Sequence, residues 1–358
     1  MTDEARERAF ESLGGWPGVL GRLVSGRDLT AHEAGCVLGQ VLAGEATDGQ
    51  IAAFVMGMRM KGETVEEMAG LVRGMLAHAE PLSIPGDLVD TCGTGGDRSG
   101  SVNVSTMAAF VVAGAGARVC KHGGRAASSA AGSADVLEAL GVVIDLGPEG
   151  VSRCVAEVGM GFCFAPRYHP AMRFAAPVRG QLGIATMFNF LGPLANPARA
   201  RFQVVGVSDP AMAEKMLGVL LANGARRAMV VHGADGLDEL STTAPSAVLA
   251  VDAELDPDMV IQRYTVDSVD LGLERATIAD LRGGDAAANA HVVRRVLAGE
   301  RGAHRDVVVL NAAAGLVVAG VVGDLSQGVE KAASVIDDGS ALGVLEDLVR
   351  VSQESART

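Results

Sequence analysis

The chain has 358 residues, enough for two domains that each bury a hydrophobic core. Its 30 Lys and Arg against 43 Asp and Glu give a net charge of −13, which repels polyanions. No basic stripe offsets this charge, so we expect a protein that does not bind nucleic acid. Aromatic residues make up only 3% of the chain against 47 glycines, so the core must be built from small and aliphatic side chains.

The cysteines and the apolar segments indicate a compartment. Five cysteines, without a Cys-x-x-Cys spacing, indicate reduced thiols rather than a disulfide framework or a zinc site. The charged N-terminal segment lacks the apolar stretch of a signal peptide. The longest apolar run, 307–322, is interrupted by Asn311, which favours a buried strand and helix over a membrane span. We therefore expect a cytoplasmic protein without membrane association.

Residues 17–80 predict a small all-helical unit. Three pairs have the spacing of a helix-capping box ahead of an amphipathic run, Thr30 with Glu33, Thr47 with Gln50, and Thr64 with Glu67. Pro81 and Pro85 end this unit. The pattern then changes to short β-rich runs that alternate with helices.

The remaining chain predicts an α/β fold. The candidate strands are 87–91, 117–120, 142–145, 161–164, 203–207, 227–232 and 246–251. Helices predicted between them include 105–115, 133–140 and 211–223. Strands spaced by helices favour a mostly parallel central sheet flanked by helices. The β signal lapses between Pro170 and Pro197, where we expect helices at 172–182 and from Thr186, and it is weak over 255–285.

The domain boundaries follow from these changes of pattern. We expect a small helical domain of residues 17–82 with 170–197. Residues 85–169 with 198–350 would form the large α/β domain.

A glycine-rich loop follows the first candidate strand. Gly93-Thr94-Gly95-Gly96-Asp97 brings backbone N–H groups close to a ligand, and Asn103, Ser105 and Thr106 lie at the start of the next helix. A strand, a glycine loop and a helix N-terminus together favour a phosphate-rich ligand. For such a loop alone, an ordinary strand-to-helix turn is the alternative.

A second polar cluster lies about 35 residues on, the length of one strand–helix–strand unit. Its cationic donors and hydroxyl groups suit diphosphate recognition, and they are Lys121, Arg125, Ser128, Ser129 and Ser133. Ser133, like Ser105 and Thr106, also has the position of a helix N-cap. A structural role alone could therefore explain these three hydroxyl groups.

Two adjacent carboxylates, Asp238 and Glu239, follow the candidate strand 227–232 and a turn. Ligands of α/β proteins bind at the carboxyl ends of parallel strands. Hard oxygen ligands beside a phosphate site suit Mg²⁺. For an isolated pair of this kind, a solvated acidic turn is the usual alternative.

The segment 162–170 contains an unusual share of the few aromatic residues. With Arg179 it could form an apolar slot and a guanidinium for an aromatic carboxylate. A packed domain junction explains the composition equally well. His169 does not suit a general base, because no Ser, Cys or Asp is placed to form a triad with it.

Taken together, these motifs resemble the anthranilate phosphoribosyltransferase family of tryptophan biosynthesis over roughly residues 17–345. The segments that carry the resemblance are GTGGD at 93–97, NVST at 103–106, KHGGRAASS at 121–129, GSAD at 132–135, FAPRYHPAM at 164–172, FNFLGPLANP at 188–197 and DGLDE at 235–239. The resemblance implies a homodimer formed through the helical domain, with a hinge to the α/β domain. It also implies phosphoribosyl diphosphate, Mg²⁺ and anthranilate as ligands.

Residue roles carried over from the family divide into three sets. Phosphoribosyl diphosphate would contact Gly93, Gly96, Asp97, Ser101, Asn103, Ser105, Thr106, Lys121, Ser129 and Ser133. Anthranilate would contact Gly93, Gly124 and Arg179. Mg²⁺ would be held by Ser105, Asp238 and Glu239. No residue is assigned as a general acid or base.

Three positions depart from the family pattern. Gly124 replaces the asparagine of KHGN, Arg98 replaces the last glycine of GTGGDG, and Ala130 replaces a lysine. The first two leave open a paralogous transferase that uses another benzoate. A pyrimidine nucleoside phosphorylase-like enzyme of the same fold is a further alternative, although the Asp-Glu pair and the FNFLGPLANP segment favour the transferase. A silent nucleic-acid-binding relative is disfavoured by the acidic charge.

Overall fold

A computed structural model describes residues 3–126, 130–255, 258 and 260–357. Five helices open the chain: α1 (Asp3–Ser12), α2 (Gly15–Val24), α3 (Ala31–Ala43), α4 (Asp48–Lys61) and α5 (Val65–Ala77). The predicted capping boxes are all present, since Thr30, Thr47 and Thr64 each accept a hydrogen bond from the third helical residue. The side chain of that residue in turn accepts from the backbone of the threonine, so both ends of each box are satisfied.

In the described residues, seven strands form one sheet, which confirms the predicted α/β class. They are β1 (Val89–Gly93), β2 (Val119–Gly123), β3 (Met160–Phe164), β4 (Phe202–Gly206), β5 (Arg227–Gly233), β6 (Ser246–Asp252) and β7 (Gln262–Val266). Their spatial order is β3-β2-β1-β4-β5-β6-β7. Strands β1 to β5 are parallel, and β6 is antiparallel to both of its neighbours, β5 and β7. The chain order reverses between β1 and β4, so a crevice opens outside the carboxyl ends of these two strands.

Eleven further helices are seen in the described part of the chain. Those before β4 are α6 (Val104–Gly114), α7 (Ser133–Leu140), α8 (Pro148–Val158), α9 (Ala165–Tyr168), α10 (Ala176–Leu182) and α11 (Met187–Leu194). Those after it are α12 (Ala213–Ala222), α13 (Ala286–Leu297), α14 (Ala303–Ala319), α15 (Leu325–Asp337) and α16 (Ser340–Ser355). The predicted helices 105–115, 133–140 and 211–223 thus correspond to α6, α7 and α12.

The sheet separates two hydrophobic cores. Alternate residues of a strand point to opposite faces, and Val204 of β4 packs in one core while Val205 packs in the other. The first core contains α6, α14 and α16. The second is shared with α3, α4 and α5, so the N-terminal helices rest against one face of the sheet.

One strand prediction is wrong, and one strand was not predicted. Residues 142–145 form no strand, because the N–H of Val142 bonds to Leu137 at the end of α7 and the N–H of Val143 bonds to the Ser352 hydroxyl. Strand β7 was not predicted, because four of its five residues are exposed at the sheet edge and lack apolar alternation.

Two helix predictions also need correction. The apolar run 307–322 belongs mainly to the single buried helix α14 rather than to a strand and a helix. The predicted helix 172–182 is divided into a 3₁₀ turn, Pro170–Phe174, and α10. In the described residues, no helix combines the length and apolarity that a membrane crossing needs.

Helices α10 and α11 return to the N-terminal helices, as expected. α10 contacts α4, and α11 contacts both α4 and α5. α11 begins after Thr186, whose N–H donates to the Asn189 side chain. The chain then passes from the end of α11 to β4 through residues 195–201.

Two buried histidines contact carbonyl groups at the end of α11. His122 Nδ1 lies 3.2 Å from the Gly192 carbonyl oxygen, and His169 Nε2 lies 2.9 Å from that of Ala195. A carbonyl only accepts, so each imidazole must donate an N–H there. Burial lowers the pKa of His122 to about 3 and that of His169 to about 4, which keeps both rings neutral.

We expect His169→Gln to remove an acid-sensitive contribution to stability. A glutamine can still donate to the Ala195 carbonyl but does not titrate. Because the pKa of His169 is lower in the folded protein, its stabilisation is full above pH ~6.5 and falls at 1.36 kcal/mol per pH unit below it. Between pH 7 and pH 5, the wild type should lose about 2 kcal/mol of unfolding free energy that the variant keeps. Urea unfolding at both pH values measures this difference. If the unfolding free energies of the variant and the wild type changed in parallel with pH, His169 would not titrate in this window.

Candidate active site

The glycine loop after β1 lies against the acidic turn after β5. The Gly95 N–H donates to Asp238 Oδ2 at 2.6 Å. A Cβ atom on Gly93 would stand 2.3 Å from the same oxygen, so only glycine permits this approach. Gly95 and Gly96 have φ of 65° and 81°, the left-handed region that glycine adopts without steric cost. The two motifs, about 140 residues apart in sequence, thus form one site.

The Asp238–Glu239 turn is not a solvated acidic turn. Asp238 is only 8% exposed, and burial, with a contribution from Asp97, raises its pKa to about 6. Burial and the adjacent Asp238 likewise raise the pKa of Glu239 well above its usual value. Close carboxylates without a bound cation disfavour their own ionisation.

A buried asparagine fixes the backbone that follows these carboxylates. Asn311 of α14 accepts from the Leu240 N–H at 2.9 Å and donates to the Leu240 carbonyl at 2.8 Å. The polar residue that interrupts the apolar run is therefore a clamp on the acidic turn.

The N-terminus of α6 meets this turn. The backbone N–H of Ser105 opposes the rise in the pKa of Glu239, so a side-chain anion lies near the N-terminus of this helix. The helix begins at Val104 with Asn103 in the cap position, so the prediction of Ser105 or Thr106 as N-cap is wrong. Thr106 Oγ1 is buried and has no hydrogen-bond partner in the described residues.

Lys121 lies beneath this helix start rather than on the surface. Its side chain is buried, with Nζ bonded to the Thr91 carbonyl and 3.2 Å from Ser105 Oγ. Its positive charge is thus placed among the carboxylates and next to a predicted metal ligand.

The rest of the glycine loop carries further hydroxyl groups. Ser99 Oγ donates to Asp97 Oδ2 at 2.6 Å and lies 3.0 Å from Ser101 Oγ, a link that the sequence motifs did not indicate. Arg98 is exposed and has φ 58°, a region unfavourable for most residues. This backbone conformation explains why the family pattern has glycine there.

The second polar cluster is only partly assembled for a ligand. Ser133 Oγ donates to the Gly124 carbonyl at 3.4 Å, and α7 begins at Ser133 itself with Gly132 as its cap, so the predicted N-cap is displaced by one residue. Arg125 pairs with Asp135 and Glu138, each at 2.8 Å, which compensates its charge. Ser128 and Ser129 lie outside the described residues.

Gly124 leaves room for a side chain. A Cβ atom there would meet only the Ala165 Cβ, at 3.8 Å, and its backbone lies outside the left-handed region. The glycine that replaces asparagine in the motif is therefore not required by the backbone.

Arg179 of α10 is partly buried and lies over an aromatic ring. Its Cζ atom is 5.3 Å from the Phe188 ring centroid, and burial lowers its pKa. No carboxylate pairs with it in the described part of the chain. A partly buried guanidinium without an anion is suited to receive one.

The aromatic segment 162–170 belongs mostly to the core. Phe162 and Tyr168 are buried, and the Tyr168 hydroxyl donates to the Leu146 carbonyl at 3.2 Å. The packed-junction alternative therefore accounts for these two residues. Phe188 is the aromatic residue that actually lies beside Arg179.

The acidic turn offers few ligands to a metal ion. The described residues contain no group of three or more His, Cys, Asp or Glu side chains that could hold one. Two carboxylates and the Ser105 hydroxyl nevertheless match Mg²⁺, which commonly completes its coordination with water and substrate phosphates.

Comparisons with known proteins identify the family of the chain. Residues 17–79 match the helical bundle domain of a glycosyl transferase family, and residues 85–342 match its a/b domain. An anthranilate phosphoribosyltransferase of Roseiflexus castenholzii is 52% identical over 332 residues, which cover 92% of this chain and 96% of the relative.

Solved structures give the same result. The anthranilate phosphoribosyltransferase of Thermus thermophilus superposes with a TM-score of 0.88 at 41% identity, over 94% of this chain and 99% of that one. The Saccharomyces cerevisiae enzyme, in complex with phosphoribosyl diphosphate and magnesium, gives a TM-score of 0.86 at 25% identity, over 95% and 98%. On the identity and coverage of these relatives, the chain belongs to the anthranilate phosphoribosyltransferase family.

Proposed function

We propose that the crevice outside β1 and β4 binds phosphoribosyl diphosphate, and that the chain transfers its phosphoribosyl group to the amine of anthranilate, releasing diphosphate. This is the reaction of the family in tryptophan biosynthesis. The observation that carries the proposal is the contact between the glycine loop and the acidic turn, through Gly95 and Asp238. It puts backbone donors and carboxylates at the reversal point of the sheet, where α/β ligands bind.

The phosphoribosyl diphosphate site would combine several kinds of donor. Backbone N–H groups, hydroxyls and one lysine would contact the ligand, from Gly93, Gly96, Asp97, Ser101, Asn103, Ser105, Thr106, Lys121, Ser129 and Ser133. The unpartnered buried hydroxyl of Thr106 supports the assignment, because a buried polar atom without a partner is costly.

Ser105, Asp238 and Glu239 would hold Mg²⁺. Burial and the neighbouring carboxylates raise the pKa values of both groups, and a cation would stabilise their ionised forms. When bound, the ion would neutralise charge on the diphosphate leaving group. The Gly95 N–H and the Asn311 clamp on Leu240 hold the carboxylate turn in place.

The acceptor would bind with its carboxylate on Arg179, near Gly93 and Gly124. Catalysis would then rest on positioning the amine against the ribose carbon and on stabilising the leaving group, because an aromatic amine needs no strong base to attack. His169 is poorly suited to act as a base, because burial lowers its pKa to about 4 and encloses its Nδ1 atom.

The assembly and location belong to the same proposal. Exposed apolar side chains on the helical unit, Val24 at the end of α2 and Met60 on α4, support a homodimer formed through that unit. The division into 17–82 with 170–197 and 85–169 with 198–350 is supported by the contacts of α10 and α11 with α4. Five buried cysteines that form no disulfide with one another fit a cytoplasmic location.

The direct test is the loss of anthranilate fluorescence with phosphoribosyl diphosphate and Mg²⁺. Substituted benzoates in place of anthranilate test the paralogue alternative, and a pyrimidine nucleoside with inorganic phosphate tests the phosphorylase alternative. Turnover of anthranilate above every other acceptor is the expected result. Turnover of only another substrate would overturn the proposal.

We expect Asp238→Asn combined with Glu239→Gln to lower turnover by ~10²-fold or more, because the Mg²⁺ ligands lose two charges. The amide at position 238 can still accept from the Gly95 N–H. Thermal unfolding should therefore stay near the wild-type temperature, which serves as the folding control for this buried turn. Near-normal turnover at saturating Mg²⁺ would remove the metal assignment.

Arg179→Ala should weaken the acceptor far more than phosphoribosyl diphosphate. A charge-assisted hydrogen bond contributes ~1.5–3 kcal/mol, or roughly 10- to 150-fold in affinity. Calorimetry with each ligand measures this. Arg173→Ala is the matched control, since its Cζ lies 4.5 Å from the Phe174 ring on an exposed part of the same segment. If both substrates lost affinity equally, Arg179 would have a structural role.

Gly124→Asn should restore an amide to the acceptor pocket. If the pocket has lost one neutral hydrogen bond, anthranilate should bind ~0.5–1.5 kcal/mol more tightly in the variant. If the space serves a different benzoate, use of that acceptor should fall instead. Gly124→Ala, which adds only the Cβ, is the control for volume. An unchanged ranking across a panel of benzoates would show that position 124 does not select the acceptor.

A further inference from the structure

A buried asparagine in the C-terminal half of the chain contacts Asn103, the residue in the cap position of α6. Asn289 of α13 is 3% exposed. Its Nδ2 donates to Asn103 Oδ1 at 2.9 Å, and its Oδ1 accepts from the Gly284 N–H at 2.7 Å. Asn103 Nδ2 in turn donates to the Ala131 carbonyl at 3.1 Å. Two side-chain amides thus link three separate segments of the chain.

The direction of these hydrogen bonds is determined by their two ends. The Gly284 N–H can only donate, and the Ala131 carbonyl can only accept. Each amide between them therefore has a single orientation, and flipping either one would place two like groups face to face. Because Asn289 is buried, a lost partner is not replaced by bulk water.

The backbone around Asn289 supports the same loop. The Gly283 N–H donates to the Gly100 carbonyl at 2.8 Å, and the Val102 N–H donates to the Leu281 carbonyl at 3.0 Å. Ser101 forms an antiparallel bridge with Arg282. This backbone pairing holds residues 100–102, but it does not reach the second loop. The two side-chain amides extend this support to Ala131, two residues before Ser133.

We propose that Asn289 is a positioning residue for the phosphoribosyl diphosphate site. It acts through Asn103 and keeps the start of α6 at a set distance from Ala131, just ahead of α7. This rests on the site proposed above. Asn289 would not itself touch the ligand. Because it acts through Asn103, which belongs to the phosphoribosyl diphosphate site, its loss should lower the affinity for that ligand and not the affinity for the acceptor.

Calorimetry with phosphoribosyl diphosphate and Mg²⁺ tests the role. Asn289→Leu should weaken binding about 10- to 100-fold, since both a hydrogen bond and the orientation of Asn103 are lost. In an Asn103→Leu background the same substitution should have no further effect, because a residue that acts only through Asn103 has nothing left to position. Acceptor affinity should not change.

Asn289→Asp provides a readout that a purely structural role would not move. The ionised carboxylate keeps an acceptor for Gly284 but presents a second acceptor to Asn103, so binding should be weak at pH 8. Once protonated, the carboxyl group donates to Asn103 Oδ1, and the ratio to wild-type affinity should recover as the pH falls. This variant also serves if Asn289→Leu does not fold.

Arg294→Met is the matched control on the same helix. It removes the hydrogen bond from Arg294 Nη2 to the Leu140 carbonyl, at 2.9 Å, which has no link to residues 100–103. It should lower the unfolding temperature without changing the affinity for phosphoribosyl diphosphate. Equal loss of affinity in Arg294→Met and Asn289→Leu would overturn the positioning role.

Two failures are distinguishable. If Asn103→Leu and the Asp238→Asn, Glu239→Gln variant both bind phosphoribosyl diphosphate normally, the proposed site is wrong. If those variants bind weakly while Asn289→Leu binds normally, or weakens binding equally in the Asn103→Leu background, only the role of Asn289 is wrong.

Discussion

The contact between Asp238 and the glycine loop is the constraint on which the site depends. A carboxylate can approach the backbone this closely only because Gly93 has no side chain and because the Gly95 N–H is free to donate to it. The carboxylate is nevertheless held in a buried place where its ionisation is disfavoured. The local cost is characteristic of functional sites, where the surrounding fold enforces an arrangement that isolated residues would avoid.

The proposed site would bind a polyanion with few side-chain cations, although the protein as a whole is acidic. Lys121 is buried under the start of α6, and Arg125 is already paired with Asp135 and Glu138. In the proposed site, attraction would therefore come mainly from backbone N–H groups and from Mg²⁺. Such short-range donors act inside the crevice and are largely independent of the net charge of −13.

The sequence predicted those parts of the molecule whose signals are local. Capping boxes such as Thr64 with Glu67 act over one helical turn, and the glycine loop is read from consecutive residues. Strand β7 was missed because an exposed edge needs no apolar pattern, and 142–145 was mistaken for a strand because buried loops can be equally apolar. The role of Asn289 could not be predicted, because its partner lies 186 residues away and its signal is a single polar residue in a helix. The burial of Asp238 could not be predicted either, because it depends on the approach of the glycine loop, 143 residues away in the sequence.

The return of α10 and α11 to the N-terminal helices has a consequence for folding during synthesis. The faces of α4 and α5 that they cover are complete by Ala77, but α11 ends only at Leu194. At translation rates of roughly 5–20 residues per second, these apolar faces await their partners for about 6 to 23 seconds. The nascent helical unit therefore exposes apolar surface that could bind a chaperone or a second nascent chain before the sheet is made.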